Sequence, residues 1–496
     1  MAAERDLEIL IIGAGFGGMA AAIELQSHGL RNITILERDS GVGGTWLQNS
    51  YPGAACDVPS HMYSYSFAQR RDWSRLCSPQ DEILEYAQGV ARDYGVDRLV
   101  EPHVDVSACS WDDDTRRWTV TAADGRAWES DAVIIATGQL HHPAYPRVEG
   151  IEAFAGHSFH SARWDHDYDL RGKRVAVVGT GASAVQFVPE IAKEAGKLTI
   201  FQRTGNWFMP RRNRAYPPPL LALFKHVPGL QAARRAFIEK LYLESVTMMI
   251  RHPRTIGLVG RLRSSLFMRW QVKDPELRRK IWPDYTFGCK RVLFSSHFLP
   301  ALQRPNVELV AEAITGVDET GLISADGTHH EVDCIIWGTG FQTMKFMFPM
   351  EVTGAEGRSL RETWAHGAHA HMGIVVPGFP SMFLMYGPNT NTSGGSIIAF
   401  EEAQAGYIRQ ALQEVRAHDA AAIDVRPEVE AASDRAVQEH FAGTAWLRCD
   451  SWYRDEHGRI VTNWPGYMRE FIEQARVLDP ADFTLLPQAD REEIAA

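Results

Sequence analysis

The sequence predicts an α/β fold with two separate parallel-sheet units, and three observations carry that expectation. The glycine pattern Gly13-x-Gly15-x-x-Gly18 follows an apolar run at 7–12, and a second pattern, Gly179-x-Gly181-x-x-Ala184, follows another at 174–178. The string Asp-Ala-Val-Ile-Ile-Ala-Thr-Gly at 131–138 is echoed by Asp-Cys-Ile-Ile-Trp-Gly-Thr-Gly at 333–340, so each unit has an opening and a closing signature. Length and composition agree: 496 residues, 45% hydrophobic and 23% charged, supply full cores for about two to four domains and exclude disordered and fibrous classes.

Short apolar runs of this kind are buried parallel strands, and the small residues after them let the backbone turn tightly and approach a pyrophosphate. The amides at the start of the following helix favour the phosphate charge. Both motifs are therefore Rossmann-type dinucleotide-binding fingerprints. The residue 24 positions after the first glycine separates the two ligands: it is Glu37 in one copy and Arg203 in the other. A carboxylate there accepts hydrogen bonds from ribose hydroxyls, which points to FAD at the first site. A guanidinium pairs with a 2′-phosphate, which points to NADPH at the second, with Thr204 beside it. A lone glycine-rich turn means little in a chain with 41 glycines. Two such turns, each with strand, helix and discriminating residue, mean much more.

Element by element, the expected organisation is an FAD-binding domain at 1–142 and 375–496, an interdomain linker at 143–170, and an NADPH-binding domain at 171–212 and 286–374. A helical insertion occupies 213–285. Within the linker, 154–169 is rich in histidine and aromatics without clear periodicity and reads as an interdomain connection. The insertion interleaves Leu, Phe and Met with Arg and Lys and is broken by prolines at 217–219, 228 and 253. Its Met248-Met249-Ile250-Arg251-His252-Pro253 stretch admits a lipid-binding face or core packing, and core packing is favoured. An amphipathic helix is expected at about 396–416, so that the C-terminal part completes the FAD domain, and the acidic end at 490–496 is expected to fray.

The balance of 51 basic and 62 acidic residues gives a net charge of −11, which argues against nucleic acid and against broad attraction to an anionic membrane while leaving room for a local basic pocket. The six cysteines lie far apart with no metal-ligand spacing, so they are expected as reduced thiols in a cytoplasmic protein without a bound metal. The first fingerprint begins at Gly13, leaving no room for a cleavable signal, and no apolar run of about 18 residues marks an integral membrane segment. None of these features encodes an oligomeric state.

No Cys-x4-Cys redox pair follows the first fingerprint, so electrons on a flavin need another acceptor, and O2 is the natural one. Two further signatures bear on this. Phe154-x-Gly156-x-x-x-His160-x-x-x-Trp164-Asp165 is one, and Gly43-Gly44-Thr45-Trp46 followed by Tyr51-Pro52-Gly53-x-x-x-Asp57 is the other. Together they resemble the signatures of type I Baeyer–Villiger monooxygenases, of the flavin-containing monooxygenase superfamily, and the resemblance covers nearly the whole chain. It implies an enzyme in which NADPH reduces FAD, oxygen adds to the reduced ring, and the flavin peroxide attacks a ketone carbonyl to give an ester or lactone.

The resemblance also implies roles for residues. Arg291, in Phe287-Gly288-Cys289-Lys290-Arg291, is the active-site arginine, set against a plain surface salt bridge. Asp57 orients it, set against a structural cap. Gly44, Thr45 and Trp46 contact the flavin, and Lys290 joins Arg203 and Thr204 around the 2′-phosphate. His160 and Trp164 govern domain movement and not acid–base chemistry. Trp452 contacts the nicotinamide nucleotide or is a buried core tryptophan, and Gly387-Pro388-Asn389 forms a turn near the flavin. The chain departs from the common pattern at Ala184, Gly338, Ser50 and Ala55. One rival is a flavin monooxygenase that oxidises S or N centres, against which Arg291 and Asp57 argue. Another is a nucleotide-binding redox sensor or NADPH oxidase that oxygenates nothing, which has no need of both signatures.

Overall fold

The computed structural model describes residues 5–489 apart from 212, 393 and 456, so the acidic end at 490–496 lies outside the described residues. Two five-stranded, all-parallel sheets organise the chain. The first runs Met382–Leu384, Ala132–Ile135, Ile9–Ile12, Ile33–Leu36, Val100–Glu101. The second runs Val307–Val310, Lys197–Phe201, Arg174–Val178, Cys334–Trp337, His157–His160. In each, the strand before a glycine motif pairs directly with the strand of the closing signature. The four residues of Ile9–Ile12, Ala132–Ile135 and Cys334–Trp337 are all buried, as expected of parallel strands covered on both faces.

The sequence echo proves to be a contact. Gly13 (φ 107°) lies so close to the end of its closing strand that a Cβ would stand 2.6 Å from the Ala136 carbonyl oxygen, and a Cβ on Gly179 (φ 102°) would stand 2.4 Å from that of Gly338. No side chain fits at either glycine. The two departures noted in the second copy face one another, since a Cβ on Gly338 would meet that of Ala184 at 3.5 Å. Where the first copy has Gly18 and Ala136, the second has Ala184 and Gly338, so the methyl has moved from strand to helix. The second helix, Ala184–Ile191, also begins later relative to its motif than Phe16–Ser27 does, which leaves room for Ala184 at its mouth.

Within the 154–169 stretch, whose composition shows no periodicity, His157–His160 forms the edge strand of the second sheet, parallel to Cys334–Trp337. Only two of its four residues are buried, and its exposed Ser158 is tied by a hydrogen bond from Trp337 Nε1 at 2.7 Å. A polar edge strand of this length shows no hydrophobic alternation to read.

C-terminal residues return to the first unit through Met382–Leu384 and through the helix Ile397–Ala417, which packs on Phe16–Ser27 with Ile398, Ile408, Ala411 and Leu412 buried. Between the halves of the second unit stand the helices Pro218–His226, Leu230–Phe237, Glu244–Arg251, Ile256–Gln271 and Pro275–Ile281. Ile250 is buried and Met249 packs against the second core, with Met248 at the rim, so that stretch is mainly core.

The cysteines require a correction. Cys289 and Cys449 form a disulfide across a separation of 160 residues, while Cys56, Cys77, Cys109 and Cys334 are free and buried. No local spacing announces a pair that only the tertiary fold brings together. Among the described residues no cluster of three or more His, Cys, Asp or Glu suits a metal ion, and no helix is long and apolar enough to cross a membrane.

Candidate active site

Arg291 and Asp57 come from opposite units and meet in the space between them. Arg291 Nη2 donates to both Asp57 carboxylate oxygens, at 2.7 and 2.6 Å. The local sequence around Asp57 explains its position. Gly53, at φ 78°, approaches the second unit so closely that a Cβ would lie 2.8 Å from the Gln186 carbonyl oxygen. Ala55 N–H donates to Gln186 Oε1 at 3.2 Å, and Gln186 Nε2 donates back to the Ala55 carbonyl at 2.9 Å. The Tyr51 hydroxyl donates to the same Oε1 at 3.1 Å. The Tyr51-to-Asp57 signature is thus docked on the helix that opens the second unit.

Burial pushes the Asp57 carboxyl up, but the charge and hydrogen bond of Arg291, with the charge of Arg211, outweigh it and hold the group below the usual carboxylate range. The Asp57 charge in turn holds the Arg291 guanidinium above its ordinary value, against the effect of burial. The pair is ionised at any working pH. Arg291 nonetheless keeps 51% of its side chain open, against 20% for Asp57, so one face of the guanidinium is reachable from the cleft.

Two tyrosines feel its charge. Burial pushes the Tyr453 hydroxyl up to about 12, with the Arg291 charge and backbone pulling the other way, and Tyr386 is raised by burial against the same Arg291 charge. Both stay protonated. The Tyr386 hydroxyl donates to Asn391 Oδ1 at 3.0 Å. The disulfide joins Cys289, two residues before Arg291, to Cys449, four residues before Tyr453, and so fastens the two segments that carry these groups.

The first fingerprint forms a cradle of the kind that admits a pyrophosphate. The helix Phe16–Ser27 starts at Gly15 with no side-chain cap, leaving its first amides for a ligand. Gly44 (φ 52°) lies against it, since a Cβ there would stand 2.9 Å from the Gly15 α-carbon, and Thr45 beyond it is exposed. Gly18 packs inward, where a Cβ would strike the Gly13 carbonyl. Glu37 is buried and accepts from Ala14 N–H at 2.6 Å and Asp39 N–H at 2.8 Å, which sets its carboxylate at the mouth of the motif. Trp46 Nε1 donates to the Tyr63 hydroxyl at 2.9 Å.

At the second fingerprint, the helix after Gly179 and Gly181 likewise starts without a side-chain cap. Arg203 is exposed with Thr204 partly so. Lys290 stands 4.7 Å from the Tyr285 ring centroid, and its pKa is lowered first by burial and then by the charge of Arg203. Two cations from separate segments thus lie near enough for the charge of one to lower the pKa of the other.

Trp452 is 46% exposed and rests on Tyr453 with ring centroids 4.1 Å apart, which overturns the buried-core alternative. His160 is fully buried, accepts from Ala162 N–H at 3.1 Å, and is lowered to about 4 by burial, so it is a neutral ring. Trp164 packs on Phe159 and Phe187. Asn389, in a turn at φ 57°, donates to the carbonyls of Ile460 at 2.7 Å and Asn463 at 2.9 Å. Gln186, Arg211, Tyr386 and Tyr453 were missed from sequence. Gln186 alone left a sign, as a polar residue within the apolar run of Ala184–Ile191.

The family model for pyridine nucleotide-disulphide oxidoreductase matches residues 10–217, the region of the two fingerprints, although this chain lacks the redox cysteine pair after the first. A Baeyer–Villiger monooxygenase of Streptomyces coelicolor is 41% identical over 488 residues, covering 98% of this chain and 94% of that protein. Another, from Pseudomonas aeruginosa, is 38% identical, covering 98% and 92%. Among solved structures, an oxidised steroid monooxygenase bound to NADP superposes with a TM-score of 0.86 at 29% identity over 97% of this chain and 99% of its own. A closed cyclohexanone monooxygenase gives 0.86 at 25% identity over 97% and 99%. With two nucleotide-binding units and relatives that match it end to end, the chain belongs to the Baeyer–Villiger monooxygenase family.

Proposed function

We propose that this enzyme uses FAD in the first unit and NADPH in the second to insert one oxygen atom of O2 beside the carbonyl of a ketone, and that Arg291 and Asp57 are its active-site pair. FAD, once reduced by NADPH, supplies the activation of O2. Gly13, Gly15, Gly18, Gly44, Thr45 and Trp46 form its cradle, with Glu37 placed for the ribose hydroxyls. Gly179, Gly181 and Ala184 would receive the pyrophosphate of NADPH, Arg203, Thr204 and Lys290 would hold its 2′-phosphate, and Trp452 would meet its nicotinamide end.

The observation that carries the reading is the Arg291–Asp57 pair between the units. A ketone carbonyl under nucleophilic attack develops negative charge on oxygen, and a preorganised guanidinium on the cleft wall stabilises that charge without reorganising. Asp57 fixes the guanidinium plane and moderates its charge, and Arg211 keeps Asp57 ionised. Tyr386 and Tyr453 stay neutral beside the guanidinium, so neither brings an opposing charge to its field.

The experiment is product analysis of a panel of linear, cyclic, aryl and steroid-like ketones with purified, yellow protein, NADPH and O2. Ester or lactone formation supports carbonyl insertion. Sulfoxides or N-oxides alone would move the activity to S or N centres, and NADPH consumption yielding only hydrogen peroxide would make the protein an oxidase.

A further inference from the structure

The helix Ile256–Gln271 turns buried positions one way and apolar side chains the other. Inward, Gly257, Gly260, Ser264 and Met268 are buried, with Gly260 so close to Phe287 that a Cβ would lie 2.5 Å from its ring. Outward, Leu258, Val259, Leu262, Leu266 and Trp270 are each 52–67% exposed. At about 100° per residue these five fall on one stripe opposite the buried one. Single exposed leucines are ordinary, whereas a contiguous apolar stripe marks a contact surface.

The borders of the stripe are basic. Arg261 and Arg263 flank it on opposite sides, Arg269 lies within it, all three are exposed, and the helix contains no acidic residue. Residues 251–280 carry nine Lys and Arg against two Asp and Glu, in a chain whose net charge is −11. The positive charge is therefore concentrated where the apolar stripe is.

We propose that this helix is the docking surface for an anionic lipid bilayer. It lies in the interfacial plane, with Leu258, Val259, Leu262, Leu266 and Trp270 entering the acyl boundary and Arg261, Arg263 and Arg269 pairing with headgroup phosphates. Charge decides between a bilayer and a second copy of the chain. Two copies meeting on this stripe about a two-fold axis would set arginine against arginine, whereas anionic headgroups neutralise them. The helix has 16 residues, and no helix among the described residues is long and apolar enough to span, so the contact is interfacial. The remaining negative charge of the chain restricts attachment to this patch.

The test is co-sedimentation of the flavin-loaded enzyme with phosphatidylcholine vesicles and with vesicles containing about one third phosphatidylglycerol. On the order of 10-fold more protein is expected on the anionic vesicles. The variants Leu262→Glu/Leu266→Glu and Arg261→Gln/Arg263→Gln should each remove most of that gain while leaving NADPH oxidation and Tm unchanged, because all four side chains point outward. Equal binding to both vesicle types, or anionic binding insensitive to both variants, overturns the proposal. So does an absence of vesicle binding together with a concentration-dependent dimer, seen by analytical ultracentrifugation, that Leu262→Glu dissolves; that result assigns the stripe to a second copy.

Discussion

Gln186 and Ala55 exchange two hydrogen bonds between the two nucleotide-binding units, at 2.9 and 3.2 Å, two residues from the carboxylate that pairs with Arg291. Removing the amide strands a backbone N–H and carbonyl at the interface and takes one acceptor from the Tyr51 hydroxyl. Gln186→Ala is expected to cost about 1–3 kcal/mol, read as a lower Tm by calorimetry. Product formed per NADPH consumed should fall as well, since Asp57 loses its anchor. An unchanged Tm together with unchanged coupling would show that this exchange holds nothing.

Arg291→Ala should leave FAD absorbance and reduction by NADPH in place while ester formation drops by on the order of 10² or more, the scale seen when an oxyanion-stabilising donor is lost. Arg291→Lys should recover part of the rate, because it restores the charge without the two-oxygen geometry. Full ester formation by the alanine variant would mean that another group bears the charge.

For the second nucleotide, Arg203→Ala should raise KM for NADPH by about 10-fold or more through loss of a charge-assisted contact to the 2′-phosphate, with KM for NADH unchanged. Steady-state kinetics with both cofactors decides it. Equal effects on the two would place Arg203 elsewhere in the mechanism.

Thiol titration in denaturant should find four reactive cysteines before reduction and six after, reflecting the free Cys56, Cys77, Cys109 and Cys334 and the Cys289–Cys449 bond. A crosslink closing so long a loop contributes about 2–4 kcal/mol, so Cys449→Ser should lower the thermal midpoint. Six reactive thiols at the outset would refute the bond.

Burial pushes the Glu401 carboxyl up to about 8 from its ordinary 4.5, with Glu402 adding to the shift. Between those values the folded chain retains a proton that the unfolded chain has lost. Stability from this group is therefore complete below pH 4.5 and declines as pH rises toward about 8. Glu401→Gln should flatten the fall in Tm across that window, and an unaltered Tm profile would assign the slope to other groups.

Much of this was legible in the sequence because it is local. The fingerprints, Glu37 and Arg203 depend on short-range spacing, and the echo at 131–138 and 333–340 follows from one steric requirement imposed twice. What was not legible depends on residues far apart in the chain. Cys289 finds its partner 160 positions away, and Tyr453 reaches Arg291 only because the C-terminal segment folds back. The strand His157–His160 escaped notice because an edge strand needs apolar residues on one side only and supplies few of them.

The close approach of Gly13 to Ala136 and of Gly179 to Gly338 makes each fingerprint and its distant closing strand a single steric unit. Cofactor specificity can therefore be re-engineered by grafting only if both pieces are transplanted together; moving the glycine loop alone would seat it against the wrong wall.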